Sequence, residues 1–263
     1  MCTVSFIPLG QDKYVLTSNR DELKRRPTLP PMATTINDQA VFFPRDKQAG
    51  GTWIAAGEQG WICCLLNGAL MPHRPQPIAP KSRGKLVLEL FEYERVVEFI
   101  CKCQVTGMEQ FTLVILETGH PMVLHQFRWD GQRKQYARLD PRRPYLWSSE
   151  MYDFEVRQLR DQWFHKYFQR LKTIKSADVM RFHGSHQGHD PANDLIMQRP
   201  NGIQTVSITQ LLIAPNRFSM QYQDLQSRHI SFLMRTVTTK IYHRRGAEPP
   251  REKKNLCGLA CLR

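Results

Sequence analysis

The chain lacks long hydrophobic runs, paired cysteine motifs and internal repeats. No stretch approaches the roughly 18 uninterrupted apolar residues of a membrane-spanning helix, and the first residues lack the basic and then apolar layout of a secretion signal. Its seven cysteines are an odd number and none forms a C-x-x-C pair, which argues against a disulfide scaffold and a tetrahedral zinc site. We therefore predict a cytoplasmic protein with reduced cysteines, no membrane span and no metal.

Acidic residues are scarce beside basic ones. The 263 residues include 37 Lys and Arg against 24 Asp and Glu, a formal net charge of +13, and 41% of them are apolar. That composition excludes a disordered or fibrous protein. A basic surface suits nucleic acid, anionic lipid or an acidic ligand, but no nucleic-acid-binding motif accompanies the charge, so we do not expect nucleic acid as a partner.

A first β-hairpin is predicted at the amino end. It joins residues 3–8 to residues 13–19, with β-branched and aromatic residues on both arms. A turn centred on residues 10–11 places Cys2 opposite Asn19. This register brings a thiol beside the charged residues that follow Asn19.

A second hairpin joins residues 52–56 to residues 61–66, and the continuous apolar run of its second arm suggests a strand covered on both faces. A turn centred on residues 58–59 places Asn67 opposite Gly50. Backbone can approach a ligand closely at the Gly50-Gly51 step, because glycine has no side chain.

The rest of the chain alternates helices and strands. The apolar spacing predicts helical structure over 82–104, strands over 111–116 and 122–127, a third strand pair near 135–139 and 145–148, helices over 153–172 and 177–183, and strands over 206–214 and 218–222. Proline-rich regions 23–40 and 68–82 are predicted loops. The pattern indicates a layered α+β domain over residues 1–243, followed by a basic, disordered tail over 244–263.

Cys2 is the residue with the most specific chemistry. If Met1 is trimmed, Cys2 carries an α-amine with a pKa of about 7.7 to 8.0 and a thiol with a pKa of about 8.5, so the amine can act as the base for the thiol. Asp21 could orient the ammonium, Arg20 could lower the pKa of the thiol or bind a carboxylate, and Asn67 could stabilise an oxyanion. The alternative is that Cys2 is only a small apolar strand residue.

The motifs around these residues have a specific order and spacing. They are Met1-Cys2, Ser18-Asn19-Arg20-Asp21-Glu22, Gly50-Gly51-Thr52-Trp53-Ile54, Leu66-Asn67-Gly68 and Ser82-Arg83-Gly84. This set resembles the NRDE family, also called the transport-and-Golgi-organisation-2 family. The resemblance implies the four-layer αββα sandwich of the N-terminal-nucleophile hydrolases, and kinship with cysteine amidases such as penicillin V acylase and bile salt hydrolase.

The resemblance also implies site residues. Cys2, Asp21 and Asn67 match the cysteine, aspartate and oxyanion asparagine of the amidases, and Arg20 matches their arginine less closely. Two further amidase groups are not matched. Residues 147–149 hold no late asparagine, and residues 206–209 hold no late arginine.

Two functions follow as hypotheses. The first is a Cys2-dependent amidohydrolase acting on a small amide or thioester, with Cys2, Arg20, Asp21 and Asn67 as catalytic residues. The second is a non-catalytic protein on the same fold that handles haem or an acyl-CoA-like lipid, with haem as a ligand and no resident cofactor. The predicted ligand-binding residues are Asn19, Gly50, Gly51 and Ser148. In the second hypothesis the rim that binds the ligand is formed by Cys2, Arg20, Asp21, Gly50, Gly51 and Asn67.

A histidine tract is the remaining candidate for a site. His183, His186 and His189 are spaced three residues apart beside an aspartate, a composition that can bind transition metals. Two glycines interrupt the tract, so we interpret it as a solvated loop and assign it no metal.

Overall fold

The structure is a computed structural model that describes residues 2–69, 81–119, 121–150, 152–188, 190–237 and 260–261. Its strands are β1 (Cys2–Gly10), β2 (Lys13–Leu23), β3 (Thr28–Ile36), β4 (Gln39–Asp46), β5 (Ile54–Gly57), β6 (Trp61–Asn67), β7 (Phe111–Glu117), β8 (Val123–Trp129), β9 (Lys134–Leu139), β10 (Tyr145–Ser148), β11 (Ile203–Ala214), β12 (Arg217–Asp224), β13 (Ile230–Thr236) and β14 (Ala260–Cys261). They form a six-stranded sheet of order β10-β1-β2-β11-β12-β13 and an eight-stranded sheet of order β14-β9-β8-β7-β6-β5-β4-β3.

Within the described residues, four α-helices cover the two sheets. They are α1 (Arg83–Glu89), α2 (Val96–Lys102), α3 (Phe154–Phe168) and α4 (Ser176–His183). The first two pack on the eight-stranded sheet, where Phe99 contacts Phe127, and the other two cover the six-stranded sheet. The layers are helix, sheet, sheet and helix, which confirms the predicted four-layer α+β sandwich. Within the described residues, no helix combines the length and apolarity needed to cross a bilayer.

Side-chain alternation along each strand divides the core into compartments. Between the sheets, Phe42 of β4 meets Phe218 of β12 with ring centroids 5.8 Å apart. On the other face of the six-stranded sheet, Ile7 and Val15 pack against the aromatic residues of α3 and α4. Neighbouring residues of β1 and β2 therefore serve different compartments.

The predicted hairpins are present, but both registers are wrong by one residue. Gln11 and Asp12 adopt left-handed φ values of 51° and 55° and form the tight turn, which lies one residue later than expected. As a result Cys2 pairs with Arg20, and Thr3 pairs with Asn19.

The open end of the second hairpin is shorter than expected, because its first strand begins at Ile54 and not at Thr52. Its first paired residue is Ile54, which lies opposite Cys64. Asn67 pairs instead with Phe111 of β7. The expected pairing of Asn67 with Gly50 does not form, because β5 begins at Ile54 and Gly50 lies outside the strand.

The predicted loop over 23–40 is wrong, since most of it forms β3 and the start of β4. Pro30 and Pro31 are tolerated because β3 is an edge strand and its pairing with β4 is interrupted by a bulge between Leu29 and Met32. The third strand pair is also wrong: β9 pairs with β8, whereas β10 pairs with β1 in the other sheet. The sequence interpretation missed β13.

Two predicted segments lie largely outside the described residues. The predicted loop over 68–82 falls mostly on 70–80. Of the predicted tail over 244–263, Ala260–Cys261 are described, and they form a short parallel strand beside β9. The division into a domain over 1–243 and a tail stays a prediction.

Candidate active site

Arg20 and Asp21 lie on opposite faces of the six-stranded sheet. Arg20 enters the space between the sheets, where it contacts Asp46 and Trp53. Asp21 faces the helix layer, where it contacts Tyr152 and Thr205. Successive strand residues point to opposite faces, so the two charges of the motif act in different surroundings.

Asp21 is buried and held by two hydroxyl donors. Thr205 donates from Oγ1 to Oδ1 at 2.7 Å, and Tyr152 donates from its phenol to Oδ2 at 3.0 Å. Burial raises the pKa of the Asp21 carboxyl, while the positive charges of the amino terminus and of Arg160 and the two hydroxyl donors act to lower it. The carboxylate is therefore fixed in orientation at the end of the strand pair that begins at Cys2.

Arg160 of α3 is fully buried and forms the centre of this polar layer. Its Nη1 donates to Thr3 Oγ1 at 2.6 Å, its Nε donates to the Asn193 carbonyl at 3.0 Å, and its Nη2 donates to the Asp194 carbonyl. The guanidinium carbon lies 3.8 Å from the Tyr152 ring centroid. Arg160 thus connects α3, the residue after Cys2 and the tyrosine that holds Asp21.

Asn19 and His183 form a second buried pair on the same face. Asn19 Nδ2 donates to the carbonyls of His183 and Leu195 at 3.0 and 2.8 Å. Its Oδ1 lies 2.7 Å from His183 Nδ1, and His183 Nε2 lies 2.7 Å from Ser5 Oγ. Because an amide oxygen only accepts, Nδ1 carries the proton and Nε2 accepts from Ser5.

This pair changes two sequence interpretations. Burial lowers the pKa of His183 to about 3, so the imidazole is neutral, and the expectation of a solvated loop at His183 is wrong. Asn19 is predicted to bind ligand, but the contacts of its side chain hold the interior together. His186 lies near Asp194, and His189 is outside the described residues.

Arg20 is neutralised inside the sandwich. Its Nη2 donates to Asp46 Oδ2 at 2.5 Å and its Nη1 donates to Thr28 Oγ1 at 3.1 Å. The guanidinium also stacks over Trp53 at 4.6 Å, and Arg26 Nε approaches the same Asp46 oxygen at 2.7 Å. Arg20 is therefore buried and paired, with its charge directed at Asp46.

Of the two predicted ligand-binding glycines, Gly51 packs against another of the sequence motifs, Ser82-Arg83-Gly84. A Cβ on Gly51 would lie 2.5 Å from the carbonyl carbon of Gly84, which shows how closely the two backbones approach. Thr52 N donates to the Gly84 carbonyl at 3.1 Å. Gly50 adopts a φ of +70° that favours glycine. Gly51 therefore lets the start of α1 approach the segment that leads to Trp53, whereas a Cβ on Gly50 would lie in open space.

Asn67 is joined to the segment that follows Ser148, near the start of β1. Ser148 pairs with Thr3, and the next residue, Ser149, donates from Oγ to the Asn67 carbonyl at 2.8 Å. Asn67 is half-buried at the end of β6. The structure thus brings the end of the eight-stranded sheet to the strand end that holds Cys2.

A cavity of about 380 Å³ lies elsewhere. Its lining includes Tyr14, Met122, Arg142 and Pro215, at the turn end of the β1-β2 hairpin and away from Arg20. Arg142 is already paired with Asp140. The cavity is separate from the candidate site.

The chain is similar to one known protein family. The family model described as "Transport and Golgi organisation 2" matches residues 1–193. The chain belongs to this family. No curated protein matches the chain.

Solved structures share the fold of this family member. A Caenorhabditis elegans ortholog of N-acylethanolamine-hydrolyzing acid amidase is 11% identical with a TM-score of 0.53, over 80% of this chain and 92% of that one. A mutant conjugated bile acid hydrolase from Clostridium perfringens is 10% identical with a TM-score of 0.52, over 90% and 96%. A second variant of that hydrolase has 10% identity and a TM-score of 0.51, over 92% and 100%. At these identities the likeness establishes the fold alone.

Sequence reasoning missed the residues that hold the two charges of the motif. The Asp21 carboxyl accepts hydrogen bonds from Tyr152 and Thr205. Arg160 stacks on the Tyr152 ring, and Asp46 pairs with Arg20. A basic residue on the buried face of a predicted amphipathic helix is a possible clue to Arg160, since Arg160 lies four residues before Phe164. Nothing in the sequence near Asp46 distinguishes this buried carboxylate from carboxylates that lie on the surface.

Proposed function

We propose that this family member is an N-terminal-nucleophile amidohydrolase that uses Cys2. The observation that carries the proposal is the buried Asp21 carboxylate, fixed by Thr205 and Tyr152 at the end of the strand pair that begins at Cys2. The names of the structural neighbours, an amidase and a bile acid hydrolase, support a small amide as the substrate class.

The reaction requires the α-amine of Cys2 to be free. The amine takes the thiol proton, the sulfur attacks the amide carbonyl carbon, and the C–N bond breaks as the leaving amine receives that proton. Water then adds to the resulting thioester with the amine as base, the C–S bond breaks, and the acid and the free thiol are released. Asp21 holds the ammonium form in position, and Asn67 stabilises the oxyanion in both steps.

Arg20 receives a different role from the one the sequence suggests. Because its guanidinium is paired with Asp46, it neither lowers the thiol pKa as a free cation nor binds a substrate carboxylate. It supports the site by holding the two sheets together at the Cys2 end. Asp21 is left as the residue of the motif that holds the α-ammonium group of Cys2 in the proposed mechanism.

The test combines mass spectrometry with hydrolysis assays. The purified protein is expected to begin at Cys2, and to release the amine from an N-acylethanolamine or a bile-acid conjugate. Cys2→Ala and Asp21→Asn should abolish turnover, whereas Cys101→Ala, which alters a half-buried cysteine of α2, should leave it unchanged. Retained Met1, or turnover that survives Cys2→Ala, would exclude the mechanism.

The second candidate is a protein that binds haem or an acyl-CoA-like anion without catalysis. The neutralised Arg20 favours it, since an amidase would lack this cation as well as the unmatched late arginine. Titration with haemin and with acyl-CoA distinguishes the two. Saturable binding that survives Cys2→Ala, in a protein with no amidase turnover, would favour the second candidate over the first.

A further inference from the structure

The outer face of β13 exposes three large apolar side chains in a row. Ile230 is 56% exposed, Phe232 is 64% exposed and Met234 is 50% exposed. They alternate with Leu233, which packs on the core. Ile230, Phe232 and Met234, called here the β13 stripe, therefore share the face that points away from the opposing sheet.

The β13 stripe also lies at an open edge. β13 is the last strand of the six-stranded sheet, and among the described residues β12 is the one strand that pairs with it. The apolar residues of α3 and α4 pack over β1, β2 and β11 instead. Within the described part of the chain, a row of backbone groups without a strand partner therefore lies beside the exposed side chains.

Charge on this face is positive at both ends. The stripe residues pair with Gln223, Gln221 and Ser219 of β12, and the last outward pair is Thr236 with the exposed Arg217. The exposed Arg228 precedes the strand at its other end. Among the described residues, the outward positions of β12 and β13 hold no acid.

We infer that the β13 stripe docks the protein onto an anionic bilayer surface. The apolar side chains enter the boundary between headgroups and acyl chains, and Arg217 and Arg228 bind the acidic headgroups. The stripe is a projecting row rather than a groove, which suits a fluid lipid surface. A second copy paired edge to edge about a two-fold axis would bring Arg228 of one chain near Arg217 of the other, so like charges oppose that dimer.

The test uses full-length protein and sedimentation with vesicles of phosphatidylcholine, alone or mixed with phosphatidylserine. Wild type should bind the mixed vesicles and be released by salt. Phe232→Ser should weaken binding about tenfold, because a phenyl group leaves the apolar layer, and Arg217→Glu with Arg228→Glu should abolish it. Phe154→Ser is the matched control, since Phe154 is 60% exposed on α3, which contacts β10 at the opposite edge of the six-stranded sheet.

Each other outcome overturns the inference. Equal binding to both vesicle types, no binding to either, or a Phe232→Ser variant that binds like wild type removes the lipid surface. Release from the mixed vesicles by polyglutamate more readily than by salt of equal ionic strength assigns the face to an acidic protein. A dimer that Phe232→Ser dissociates in the absence of lipid assigns it to a second copy. Because the altered side chains are exposed, thermal unfolding should be unchanged.

Discussion

The two faces of β2 at the Cys2 end hold opposite kinds of polar site. Towards the helices, the Asp21 carboxyl is buried in a layer of hydroxyl donors beside Arg160, and burial raises its pKa. Between the sheets, Arg20 is matched directly by the carboxylate of Asp46. The first arrangement orients a buried carboxyl group near the end of the sheet that holds Cys2, whereas the second cancels a charge and joins two sheets. Adjacency in sequence therefore did not make Arg20 and Asp21 partners in one site.

The largest expected effect tests the helix-side face. Arg160→Met should lower the free energy of unfolding by about 3 to 5 kcal/mol, because two carbonyls and Thr3 lose their buried donors. Urea unfolding measures it. Arg157→Met on the same helix is the control, and its half-exposed pair with Glu150 should cost at most about 1 kcal/mol. If both variants lose the same free energy of unfolding, the hydrogen bonds of Arg160 do not stabilise the polar layer as described.

The inter-sheet face is tested at Asp46. Asp46→Ala leaves Arg20 buried without its charged partner, so unfolding free energy should fall by about 3 kcal/mol. Glu22→Ala removes a carboxylate 3.9 Å from the same guanidinium and should cost much less. If both variants lose the same amount in urea, the Arg20–Asp46 pair does not hold the sheets as described.

The neutral His183 predicts a pH dependence for the helix-side face. Its pKa of about 3 in the folded state lies below the usual 6.5, so the unfolded chain binds more protons between these values and stability falls as pH drops below 6.5. The slope attributable to His183 approaches about 1.4 kcal/mol per pH unit. Urea unfolding at several pH values should show this slope in wild type and lose it in His183→Gln. His165→Gln on exposed α3 surface should keep it, and a slope that survives His183→Gln would refute the assignment.

The smallest effect sharpens the account of Asp21. Tyr152→Phe removes one hydroxyl donor to the carboxylate, so the Asp21 pKa should rise further and stability should fall by about 1 kcal/mol. Carboxyl-carbon NMR of labelled protein measures that pKa. Tyr93→Phe, away from Asp21, should leave it unchanged. An unchanged Asp21 pKa in Tyr152→Phe would show that the phenol does not hold the carboxylate.

Local patterns predicted most elements but not their partners. The alternation in 3–8 and 13–19 marked a hairpin, yet the left-handed turn at Gln11 and Asp12 moved Cys2 from Asn19 to Arg20. The prolines of β3 suggested a loop, because the sequence does not show that this strand lies at an edge. Register and edge position depend on pairing with distant strands, which propensity does not encode.

What the sequence by itself determined is the fold class and the family, because these follow from local pattern and motif order, while the roles of Cys2, Asp21 and Asn67 stay predictions. Only the tertiary structure decided that Arg20 is cancelled by Asp46 and that Asp21 is held by Tyr152 and Thr205. The physical reason is that neighbouring side chains of a strand point to opposite faces, and their partners come from distant parts of the chain. Asp46 lies 26 positions from Arg20, and Tyr152 lies 131 positions from Asp21.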